Sequence, residues 1–169
     1  MVFDLNSSLW QSDNGETFWH DKTIKPIAQI GPHCISTVLA MLTDEMPGYF
    51  QERINTQNPV SWSDSIIPFG MKLAYCPTDI RKVGFYMDEL VRLDDLFLLC
   101  YYTTLDPEVL LSDPNEKGWI CGSHVVILHR DQVLDPQFGG QYKAEDHSCW
   151  SLHTKRIFRV VPVNHVRGL

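Results

Sequence analysis

Three side chains whose types can together break an acyl bond stand far apart in the chain: Cys34 in "IAQIGPHCISTVLAMLT", His124 at the head of "HVVILH" and Asp135 in "VLDPQFGG". A thiolate, not a thiol, attacks a carbonyl, so a catalytic cysteine needs surroundings that ionise it. Cys34 follows a Gly31-Pro32 turn and opens a stretch in which Ile35, Val38, Leu39 and Leu42 fall at the spacing of one buried helical face. The unpaired N–H groups and aligned dipoles of a first helical turn favour negative charge, and an imidazole that takes the proton completes the activation. A cysteine is otherwise a small apolar core residue. Placement at a helix start is what sets Cys34 apart.

His124 opens a strand directly after "CGS", and Asp135 lies in the next strand, just before a proline. Singly, each has an ordinary explanation, a strand-end histidine bonded to backbone and a turn residue before proline. Together with Cys34 they supply a base and the carboxylate that fixes its tautomer. His33 adjoins the cysteine, but successive helical residues point about 100° apart, which makes it a weak base candidate. Strand parity tests the pairing: an even loop, for instance residues 129 to 132 with Leu128 opposite Val133, puts Asp135 opposite Val126 and diagonal to His124 on one face. An odd loop without a bulge would send Asp135 to the other face.

The elements that must position these residues can be read in outline. Residues 1 to 26 have no clear period and are expected to hug the surface through Trp10, Phe18 and Trp19. After the Cys34 helix, residues 46 to 77 are broken by Pro47, Pro59, Pro68 and Gly70 and are expected to give short helical pieces covering the core. "YMDELVRL" (86 to 93) returns to helical spacing and is closed by Asp94-Asp95, and "LFLLCYYT" has the apolar length of a central strand. A polar loop, "DPEVLLSDPNEKG", leads to "HVVILHRDQVLDP", two short strands, and "RIFRVVPV" supplies another. Helices first and a mainly antiparallel sheet after them make the class α+β, and 169 residues are expected to form a single domain over 1–169.

Composition narrows the function. Apolar residues make up 44% and charged residues 21%, an ordinary globular balance. Acidic residues (21) outnumber basic ones (14) for a formal charge of −7, and the basic residues are scattered, which disfavours nucleic acid. Apolar runs such as "LFLLCYY" are too short to span a bilayer, and no signal-like opening is present, so no membrane partner and a cytoplasmic location are expected. Five cysteines, odd in number and without a tight repeat, suit reduced thiols. A competing reading takes Cys121, His124, His147 and Cys149 as zinc ligands, but "HSC" has a single residue between its ligands where structural sites normally have two to four. No metal or other cofactor is expected.

With "QIGPHCISTVLAMLT", "SHVVIL" and "VLDPQFGG" in this order, the chain resembles the papain-like cysteine peptidase superfamily, and within it the bacteriocin leader-processing (double-glycine) peptidases. The resemblance covers most of residues 27 to 140. It implies a papain-like α+β fold with the nucleophile helix packed on a mainly antiparallel sheet, and a peptide or protein substrate. It also implies Cys34 as nucleophile, His124 as general base and acid, Asp135 as its orienter and Gln29 as side-chain oxyanion donor. The family usually places that glutamine six residues before the cysteine, and here the gap is five; the plant-papain signature around the nucleophile is absent. The same residue set serves papain-like acyltransferases, transglutaminases and glutamine deamidases, all of which pass through an acyl-enzyme. An inactive interaction domain on the same frame is disfavoured, since none of the three central positions is replaced.

Overall fold

The structure is a computed structural model, and it describes residues 17–103 and 122–165. Trp10, Cys121 and the polar loop before Cys121 lie outside the described residues.

Helix α1 (Cys34–Thr43) forms where the sequence periodicity puts it, but it is buried on nearly every side from Ser36 to Leu42. The reason is tertiary: it packs between β3 (Ser123–His129) and a short helix α2 (Pro47–Gln51), with α3 (Pro59–Ile66) also against it. The buried Thr37 hydroxyl is satisfied inside the helix by the His33 carbonyl at 2.8 Å. Pro47 and Pro59 each stand in the first turn of their helix, where a missing N–H costs nothing, and Asn58 caps α3 through the Val60 N–H.

The expectation of helical cover throughout 46 to 77 is corrected at its end. Met71–Cys76 is a strand, β1, entered through a 3-10 turn and Gly70 at φ +80°. Its short run, buried at Met71, Leu73, Ala74 and Cys76, was hidden among Pro68, Gly70 and Pro77. What makes it a strand is its partner, β6 (Thr154–Pro162), which pairs with it from Met71↔Pro162 to Cys76↔Ile157.

Among the described residues, six strands form one antiparallel sheet ordered β1-β6-β2-β3-β4-β5, with β2 (Leu96–Tyr102), β3 (Ser123–His129), β4 (Gln132–Asp135) and β5 (Gly140–Lys143) completing it. The apolar run read as a central strand is β2, flanked by β6 and β3. Both faces of the sheet are covered. Leu98, Cys100, Val125, Ile127 and Phe158 face α1 and α3; Phe97, Leu99, Val126, Leu128 and Ile157 face α4 (Val83–Leu93) and two 3-10 turns at Ala144–Asp146 and Ser148–Ser151. This is an α+β arrangement with a helical layer on each side of an antiparallel sheet.

One buried ion pair ties the opening segment to this frame. Arg159 on β6 donates to Asp95 from Nη2 at 2.6 Å and from Nε at 3.1 Å, and Asp95 also accepts the backbone N–H groups of Phe18 and Trp19. The Trp19 indole N–H reaches the Val160 carbonyl at 3.0 Å. Phe18 and Trp19 are thus ordered by packing and hydrogen bonds rather than by regular structure, as their aromatic character suggested.

Candidate active site

The β3–β4 hairpin turns through Arg130-Asp131, with Arg130 at φ +61° and with Leu128 opposite Val133 and Ile127 opposite Leu134. This is the even register, so Asp135 shares a face with His124, Val126 and Leu128. The consequence is direct: His124 Nε2 lies 2.7 Å from Asp135 Oδ1, and both residues are buried, at 7% and 3% exposure. Tyr101, opposite His124 on β2, packs its ring edge against the imidazole with centroids 5.8 Å apart.

Cys34 belongs to the other layer, yet its thiol interacts with His124. His124 is the second residue of β3, so its ring sits at the end of the strand. With Nε2 committed to Asp135, Nδ1 is the ring nitrogen left for the thiol. Cys34 is half-buried and forms the first residue of α1, whose start carries no side-chain cap. That leaves first-turn N–H groups without a side-chain acceptor among the described residues.

Electrostatics at the three groups follow from these contacts. Burial disfavours an imidazolium at His124, but the hydrogen bond to Asp135 and the interaction with Cys34 outweigh it and raise the histidine to about 9. Burial alone would push Asp135 up; donors from His124, His147 and the Gln137 backbone N–H instead hold its carboxyl well below the usual range. The remaining described thiols lie in apolar surroundings, where burial pushes Cys100 and Cys149 up to about 12 and raises Cys76 as well.

Gln29 stands in the loop before α1. Its backbone N–H donates to the Pro136 carbonyl at 2.6 Å, and its side-chain amide donates to the Gly31 carbonyl at 2.9 Å. Among the described residues, one amide hydrogen has no acceptor and the buried Oε1 has no donor. The Gly31 contact folds the side chain back over the turn that leads into Cys34.

His33 is exposed and makes no contact with Asp135 among the described hydrogen bonds. The zinc reading finds no support. His124 and His147 both direct Nε2 at the Asp135 carboxylate, and among the described residues no three His, Cys, Asp or Glu side chains converge as metal ligands. His147, named from the sequence only within the disfavoured zinc reading, meets Asp135 here. Its Nε2 lies 2.8 Å from Asp135 Oδ2, a contact for which the "HSC" motif gives no signal.

No family model matches this chain, and no curated protein matches it. Among solved structures, its fold is similar to the peptidase domain of Streptococcus ComA, with a TM-score of 0.50 at 15% sequence identity, covering 83% of this chain and 99% of that one. The likeness is to a peptidase domain. ComA is described as a bi-functional ABC transporter involved in a quorum-sensing pathway. At the level of fold, the likeness bears out the resemblance to the leader-processing peptidases read from the sequence.

Proposed function

We propose that this chain is a papain-like cysteine peptidase, working through Cys34, His124 and Asp135 with Gln29 at the oxyanion site. The observation that carries the reading is that His124, bonded through Nε2 to Asp135 at 2.7 Å, also interacts with the Cys34 thiol at an uncapped helix start. A peptidase-domain neighbour in fold supports hydrolysis of a peptide bond over other acyl chemistry.

In this reading the Cys34 thiolate attacks the scissile carbonyl carbon, and the C=O electron pair moves onto oxygen. The Cys34 backbone N–H and the second amide hydrogen of Gln29 each donate a hydrogen bond to the resulting oxyanion, as preorganised donors do in acyl-transfer sites. His124 delivers its Nδ1 proton to the departing amine, leaving a thioester on Cys34. Water then loses a proton to His124 and attacks the thioester, releasing the acid and restoring the Cys34–His124 pair. Asp135 stays ionised throughout and stabilises the imidazolium. The substrate is a peptide or protein, and the chain acts in the cytoplasm as one domain without cofactor.

The test is to expose a proteome-derived peptide library to the full chain and to Cys34→Ala and His124→Ala, reading new amino termini by mass spectrometry. New termini made by the parent and lost in both variants are expected. Conversion of glutamine side chains to acid, or acyl transfer without new termini, would assign the site to a deamidase or transferase; identical peptide populations in all three would reject a catalytic role.

A further inference from the structure

The Asp135 carboxylate is held on both oxygens. Oδ1 accepts from His124 and from the Gln137 backbone N–H at 2.9 Å, while Oδ2 faces His147 Nε2 at 2.8 Å. The far side of the His147 ring is equally defined: the Cys149 backbone N–H points at Nδ1 from 3.0 Å. A backbone amide can only donate, so Nδ1 is an acceptor and the ring proton lies on Nε2, aimed at the carboxylate. The tautomer is dictated by the 3-10 turn Ser148–Ser151, for which His147 is the N-cap. Tyr142 and Tyr101 pack against the ring with centroids 5.5 and 6.4 Å away, and the residue is only 6% exposed. Such a histidine is buried, with Nε2 directed at the carboxylate and Nδ1 occupied by a backbone amide.

We propose that His147 is a positioning residue, a fixed Nε2–H donor that locks the Asp135 carboxylate in the one rotation that presents Oδ1 to His124. The inference rests on the Cys34–His124 reading above. A carboxylate torsion is broad and roughly two-fold, so a carboxylate bound at one oxygen retains freedom that a second, independently anchored donor removes. Partners of this kind, one shell removed from the reacting atoms, set ring orientation and basicity in other histidine sites. His147 in this tautomer supplies a donor without supplying charge, and its acceptor nitrogen is already occupied, so it orients Asp135 and draws no proton away from His124.

The test uses the full chain with His147→Gln and His147→Met, which fill similar volume while only glutamine retains an N–H for Asp135. Two quantities are read: the rate of Cys34 alkylation by iodoacetamide near neutral pH, followed by mass spectrometry, and the downfield proton resonance of the His124 Nε2–H. His147→Met is expected to slow alkylation about tenfold and to lose or shift the resonance, as small misplacements of catalytic groups do; His147→Gln should keep both near the parent. Equal behaviour of the two variants, whether both intact or both impaired, overturns the inference. Nitrogen-15 spectra of the unaltered protein give a check free of folding effects, since a His147 ring carrying its proton on Nδ1 contradicts the proposal. A His124→Ala control separates the two levels: if it leaves Cys34 alkylation unchanged, the Cys–His pair fails and the role of His147 falls with it, whereas slowing there with none in His147→Met removes only the role of His147.

Discussion

Gln29 and Pro136 are joined backbone to backbone, the N–H of the first donating to the carbonyl of the second at 2.6 Å, so the loop before the nucleophile helix is fastened to the residue that follows Asp135. The next contact in the same seam is tighter still in its tolerance. Gly139 adopts φ +65°, and a Cβ there would stand 2.9 Å from Ala28 Cβ and 3.0 Å from the Ala28 nitrogen. Gly139→Ala is expected to cost about 1–2 kcal/mol from the left-handed conformation alone, with the contact to Ala28 adding to it. Denaturant unfolding reads the loss, and slower Cys34 alkylation in the folded variant would show that the displacement reaches the nucleophile. Unchanged values for both would mean that the seam is looser than its distances indicate.

Among the four described cysteines, Cys34 should be alkylated first near neutral pH. Cys76, Cys100 and Cys149 are buried, and burial holds each of their thiols in the protonated form; Cys34 is half-buried beside an imidazole. Brief treatment with iodoacetamide followed by peptide mapping gives the order. Labelling of any of the other three ahead of Cys34 removes the case for a nucleophile.

The His124 shift has a definite sign in stability. Its folded value of about 9 lies above the roughly 6.5 of an unfolded histidine, so its contribution is complete below the latter and fades as pH rises through the former. Asp135 is depressed, so its contribution is present above the ordinary carboxylate range and is lost as pH falls toward its folded value. Asp135→Asn removes the carboxylate that raises His124, and the histidine titration followed by NMR should move down toward the ordinary imidazole value. A titration that stays near 9 in that variant would refute the dominance of Asp135.

Gln29→Ala should lower turnover about 10²- to 10³-fold, the usual effect of removing one oxyanion donor, while leaving Cys34 alkylation little changed. The contrast matters because alkylation needs the thiolate and no oxyanion site. Full turnover in Gln29→Ala would transfer the role to another donor, and parallel losses in both measurements would mark a structural effect of the Gly31 contact.

Asp95 and Arg159 form a buried pair beside the turn of the β3–β4 hairpin, where the Asp95 carbonyl accepts the Arg130 N–H at 2.9 Å. Asp95→Ala removes the carboxylate that meets Arg159 at 2.6 Å and that accepts the Phe18 and Trp19 amides, and breaking a buried pair of this kind should cost about 3–5 kcal/mol. Thermal or denaturant unfolding checks this. A loss below about 1 kcal/mol, within the range of exposed pairs, would show that the pair is solvated.

What the sequence determined by itself was local or nearly so. The 3.6-residue spacing of Ile35, Val38, Leu39 and Leu42 gave α1 and put Cys34 at its start, because helix periodicity and the Gly31-Pro32 turn are properties of adjacent residues. The β3–β4 register was also legible, since a two-fold alternation joined by a short loop allows few pairings, and the even one set Asp135 beside His124. Tertiary structure decided the rest. Met71–Cys76 became a strand because β6, more than eighty residues later, offered an open edge for pairing. Asp95, read as a helix terminator, is buried under an arginine that no local pattern links to it. His147 carried no clear motif; it reaches Asp135 only because β5 pairs back along β4 and leads into the two 3-10 turns that flank it, and its ring proton is placed by a backbone amide two residues away. Contacts between distant segments depend on which apolar faces close over the sheet, and that is settled by packing the whole chain at once.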